Sequence, residues 1–197
     1  MRGLRSAHRC CAIMVALIAT AGCASSDGGE RSGERSVSPR GNGHLIVRFT
    51  DERWTHGSVP DVGRCRECGG QGFSPPLRVS NVPAGANRLV IAFRDITAHE
   101  LGGISNHGAL SMETNGADEI SVPSVDERTA TLPASVAIAQ NHGTRHRPAI
   151  GYLAPCACEG DHRYEVQVRA VSQGSEPGSD EQVLARGRLV LGTCCVY

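Results

Sequence analysis

The stretch that most limits what this chain can become is Ala149 to Val171, AIGYLAPCACEGDHRYEVQVRAV. Tyr164, Val166, Val168 and Ala170 alternate with Arg163, Glu165, Gln167 and Arg169. That period of two belongs to a strand with one buried face. The half before it is loop chemistry, punctuated by Gly151, Pro155 and Gly160, with Cys156 and Cys158 bracketing Ala157. His162 stands where loop becomes strand, so rigid backbone holds an imidazole beside a concave loop, a suitable place for a ligand-binding group.

The same period recurs along the chain. His44 to Thr50 alternates, Leu77 and Val79 share a face, and Leu189 to Leu191 forms a short final strand. Asn87 to Asp95 is the most apolar segment and the expected centre of a sheet, with Asp95 at its end. Taken alone, Asp95 is a turn residue accepting backbone hydrogen bonds. Two helices are expected: Leu132 to Gln140, beginning at Pro133, and Ser179 to about Ala185, opened by a Ser-Asp-Glu-Gln capping box. Strands dominate, so the fold class is mostly β.

The N-terminus reads as a targeting segment. Arg2, Arg5 and Arg9 precede an apolar run from Cys10 to Ala21 that is too short to span a bilayer. The run ends in Ala21-Gly22-Cys23, similar to a bacterial lipobox, with Thr20 where Leu is usual. Residues 1–22 are therefore expected to be a lipoprotein-type signal, with Cys23 acylated; ordinary cleavage and secretion is the alternative. Residues 23–43 are rich in Gly, Ser, Arg and Glu and read as a tether. Residues 44–197 are left as the folded domain, exported and anchored at the periplasmic face of the envelope. Formal charge is balanced at +0, which gives no reason to expect nucleic acid as a partner. Removing the signal takes three arginines and no acid, so the remainder is mildly acidic and any membrane contact rests on the lipid.

Five blocks in order carry a family resemblance. GSVP through RC to GFSPPLRVSNVP, the DITA that follows strand 87–95, HGALSM, NHGTRHRPAIGY with APCACEGDHRYEV, and the closing LVLGTCCVY resemble the phosphatidylethanolamine-binding protein family in its bacterial Raf-kinase-inhibitor-like branch. The resemblance covers about His44 to the C-terminus. It implies two antiparallel sheets packed together with a few short peripheral helices. It also implies that Asp95, His107, His162 and Tyr164 converge on one anion pocket. The chain departs from the pattern at Thr97, where a second Asp is usual, and at Gly108, where a Trp is usual.

The implied function is binding rather than catalysis, with an anionic small molecule or phospholipid headgroup as ligand. Imidazoles and a phenol can donate to an anion, while ionised Asp95 accepts only and would orient an imidazole. Binding should then tighten as His107 and His162 gain charge. Tyr164 has a plainer reading as a core residue whose hydroxyl finds a backbone partner. His44, His56, His99 and His146 carry no motif and read as surface residues, and Arg163 as half of a structural ion pair. His142 lies near the site in sequence only.

The chain has no lysine, which excludes a Schiff-base or P-loop lysine, and it has neither a G-x-S-x-G elbow nor an H-E-x-x-H zinc motif. No enzyme activity, cofactor or metal is expected.

Six cysteines remain beyond the N-terminal segment: Cys65, Cys68, Cys156, Cys158, Cys194 and Cys195. An even number in an exported domain argues for disulfides, and adjacent Cys194 and Cys195, which point to opposite faces if extended, either pair with different partners or leave one free. In the resembled fold the Cys65 and Cys156 loops flank the same pocket, so a staple joining those loops is the first expectation. Two alternatives stay open: a thiolate metal set from C-x-x-C and C-x-C, and a disulfide-stapled interaction module such as a protease inhibitor with a degenerate pocket.

Overall fold

The computed structural model describes residues 43–103, 105–157, 160–174 and 180–194. Among the described residues nine strands run in chain order: β1 Gly43–His44, β2 Ile46–Phe49, β3 Leu77–Ser80, β4 Arg88–Asp95, β5 Asn106–Glu113, β6 Glu119–Val122, β7 Ala137–Gln140, β8 His162–Gln173 and β9 Glu181–Cys194. One short helix, α1 Ile96–Glu100, follows β4, and three single-turn 3₁₀ segments lie between β2 and β3.

The strands form two sheets, one of six ordered β1-β9-β8-β4-β5-β7 and one of three ordered β2-β3-β6. All pairings are antiparallel except β1 with β9. The expected first strand is therefore two: β1 pairs with β9, and after Leu45 the chain crosses to pair β2 with β3.

The alternation seen in sequence becomes the core. Leu89, Ile91 and Phe93 of β4, Tyr164, Val166, Val168 and Ala170 of β8, and Leu77, Val79, Ile120 and Val122 of the smaller sheet all join one buried cluster. Burying each such side chain contributes about 1.5–3 kcal/mol, which makes this interior the main source of stability.

Both expected helices are corrected. Residues 137–140 are an edge strand whose Ile138 lies opposite Leu110 of β5. Gln182 and Val183, inside the expected capping-box helix, pair with Ser172 and Val171 of β8. Helix propensity and a capping box are weak priors, and a long apolar strand with an unpaired edge outweighs them.

Candidate functional site

The ends of β4 and β8 build the core of the site. Asp95 closes β4 in register with Tyr164. One carboxylate oxygen accepts from His162 Nδ1 at 2.6 Å, and the other accepts from the Ala98 N–H at 2.8 Å, capping α1. The turn-residue role and the imidazole-orienting role therefore coexist in one buried side chain. His162, the first residue of β8, has its Nδ1 committed to Asp95, which leaves Nε2 for a ligand.

His107 enters from β5. Its Nδ1 bonds the Leu153 carbonyl at 3.1 Å, so the neutral ring donates there and keeps a lone pair at Nε2. Burial pushes its pKa down to about 4. The expected gain of charge on His107 across the ordinary imidazole range is thereby corrected: desolvation holds the ring neutral, as an acceptor. Beside it, Gly108 has φ +93°, and a Cβ there would lie 2.2 Å from the Gly151 carbonyl oxygen. No side chain fits at this close approach, which accounts for the missing indole.

Tyr164 lies behind the cavity. It packs edge-on against His107, with ring centroids 5.2 Å apart, and its hydroxyl oxygen accepts from the Cys156 N–H at 3.2 Å. Burial, reinforced by the Asp95 carboxylate, pushes the phenol well above its ordinary range. It ties the 152–157 loop to β8 and remains protonated.

Asp95, His107, His162, Cys156, Arg145 and His146 line a cavity of about 540 Å³. The last two were not expected there. They sit on the 141–151 loop, closed by Asn141 Oδ1 on the Gly151 N–H at 2.8 Å. His142 inside that loop is buried, with its Nε2 on the Pro148 carbonyl and its Nδ1 on Thr144 Oγ1. His146 Nδ1 bonds Glu67, which also takes Arg128 at 2.5 Å. Arg128 in turn lies 3.4 Å from Glu127, whose buried carboxylate accepts the Arg66 N–H at 3.0 Å. This chain of charges joins the cysteine loop to the cavity wall. Arg163 lies 3.4 Å from Glu100, in the ion pair expected of it.

Cys65 and Cys156 form a disulfide with Cα atoms 5.1 Å apart, joining the two expected loops. Cys68 is likewise disulfide-bonded. Of the adjacent Cys194 and Cys195, Cys194 is a free thiol, buried near the Pro155 carbonyl, which is the second of the two outcomes expected for that pair. Cys158, Cys195, Cys23 and the whole signal and tether assignment up to residue 42 lie outside the described residues. Among the described residues no helix is long and apolar enough to cross a membrane.

Comparison with known proteins bears on the fold and the family. No curated protein matches the chain. The fold likeness rests on one solved structure. YbcL of Escherichia coli, a member of the mammalian PEBP family by its description, superposes with a TM-score of 0.54 at 17% identity, covering 78% of this chain and 99% of its own. CT736 of Chlamydia trachomatis, described as a homologue of the same family, gives a TM-score of 0.48 at 22% identity, covering 77% and 97%. The sequence profile of the family described as phosphatidylethanolamine-binding protein matches residues 50–187, a span that holds Asp95, His107, His162 and both stapled cysteines. With that match over most of its length, the chain belongs to the phosphatidylethanolamine-binding protein family.

Proposed function

We propose that the cavity binds a small anion, a phosphate-like group or phospholipid headgroup, without chemical turnover. The observation that carries this reading is the Asp95–His162 pair at the cavity wall, beside Arg145. Protonated His162 would donate Nδ1–H to Asp95 and Nε2–H to the ligand, and Arg145 would add a guanidinium. Neutral His107 offers a lone pair, which suits the hydroxyl of a monoprotonated phosphate. The pocket thus distinguishes a ligand that both accepts and donates from a bare carboxylate.

Calorimetric titration of the full chain with phosphate and phosphoethanolamine tests this. Binding should weaken roughly tenfold to a hundredfold in His162→Ala and in Asp95→Ala. Native affinity in both variants, or no binding by the folded native chain, would refute the reading.

We also propose export and lipid anchoring through Cys23. Its support is the Ala21-Gly22-Cys23 sequence and a disulfide suited to an oxidising compartment. Detergent-phase partitioning that Cys23→Ala abolishes is the expected result.

A further inference from the structure

We infer that reduction of the cystines converts the cysteine loop into a binding site for a thiophilic divalent cation of the zinc class. Its ligands are Cys65, Cys68, Cys156 and His146. This goes beyond the anion reading and is independent of it, because it concerns the reduced protein.

The sulfurs of Cys65, Cys68 and Cys156 all lie within 4.8 Å of one another. Cys68 Sγ is 4.0 Å from Cys156 Sγ; His146 Nδ1 is 4.0 Å from that atom but clusters with Glu67 and Cys156, so it must swing from Glu67 to complete the set. A tetrahedral zinc with Zn–S bonds of about 2.3 Å needs neighbouring sulfurs about 3.8 Å apart. The Cys68–Cys156 spacing already meets that, and opening the Cys65–Cys156 bond lets the third sulfur relax to it. Three thiolates and one imidazole form a recognised zinc donor set.

The surroundings favour the site. Cys65 is fully buried, whereas Cys68 and Cys156 are half-buried, so a metal would be shielded on one side and reachable on the other. The backbone is pinned independently of the cystine: the Cys65 N–H donates to the Pro155 carbonyl at 2.9 Å, and Cys156 N–H to Tyr164. These two hydrogen bonds do not depend on the sulfur link and keep Cys65 and Cys156 near each other when it opens. His146 exchanges Glu67 for the metal, and Glu67 keeps Arg128.

The chemistry balances with a dithiol as reductant. Each cystine accepts two electrons and two protons, and each dithiol closes to its own cyclic disulfide. The metal then displaces the thiol protons to solvent.

The test is anaerobic titration of the dithiol-reduced full chain with Co²⁺, after removal of the reductant. Expected are the ligand-field bands of tetrahedral, thiolate-bound cobalt, absent from the oxidised protein and bleached by Zn²⁺. Cys68→Ser and the Cys65→Ser/Cys156→Ser pair should abolish them, and His146→Ala should shift their energies. Emission of the buried Trp54 reports the fold. Three results each overturn the inference: no bands in the reduced protein, unchanged bands in the cysteine variants, or an unfolded reduced chain that metal does not restore.

Discussion

Two histidine–carboxylate pairs reach the cavity through their histidines and differ in what supports them. Asp95 and His162 stand on adjoining strands of the six-stranded sheet, with the carboxylate side chain only 5% exposed. Glu67, in the 3₁₀ turn Arg66–Cys68, and His146, on the 141–151 loop, are 79 residues apart, and Glu67 is 44% exposed. The first pair is fixed by sheet register and by the cap on α1. The second is fixed by Arg128 and by the disulfide beside it. The difference teaches that one wall of the pocket is inherited from the sheet, whereas the other depends on covalent and ionic ties between loops.

The sharpest way to break that contrast is to cut the staple. The Cys65–Cys156 link spans 91 residues, and closing a loop of that size in the unfolded chain stabilises the fold by about 4–5 kcal/mol. The Cys65→Ala/Cys156→Ala double variant should lose most of this in urea denaturation. Phosphate binding should weaken mainly through the Arg145 and His146 side, while the Asp95–His162 imidazole resonances keep their native positions.

Acid sharpens the comparison next. His107 titrates at about 4 when folded against 6.5 as the free residue. Between those values the unfolded chain binds a proton that the folded chain refuses. Its contribution is thus complete above about pH 6.5 and is lost as pH falls toward 4, by about 3 kcal/mol. Burial lowers His142 in the same direction. His107→Asn should flatten part of the acid limb of stability against pH.

Direct substitution comes third. Asp95→Ala removes both the helix cap and the His162 partner and should cost about 2 kcal/mol. Glu67→Ala should cost less than about 1 kcal/mol, since exposed ion pairs contribute little. Equal losses in thermal denaturation would erase the distinction. The smallest effect is that of salt: molar NaCl should remove a few tenths of a kcal/mol through the Glu67 pairs and none of it in Glu67→Ala.

The same contrast governs what was legible in the sequence. Asp95, His107 and His162 lie at or near strand ends, where a period of two changes to loop composition, so their positions were visible. Glu67 and His146 lie in loops without periodicity, and nothing local to either marks the other, 79 residues away. The helix expected at 132–140 failed because β5 offered an edge that four residues could extend. The one expected at 179–185 failed because β8 is twelve residues long and needs a partner of similar length. His107 lines the cavity, but it is neutral where the sequence suggested a gain of charge, because burial, which sets its protonation, is a tertiary property.

The staple has a consequence for biogenesis. As the chain emerges from its N-terminus, Cys65 is exposed well before Cys156, whereas Cys68 is only three positions away. Oxidation during synthesis therefore favours a local Cys65–Cys68 link, and from that link the native bond forms by reshuffling after β4, β5 and β8 have met. A host that oxidises thiols without an isomerase should accumulate the mis-bridged species, and the amount of native protein recovered should track isomerase activity more closely than oxidant supply.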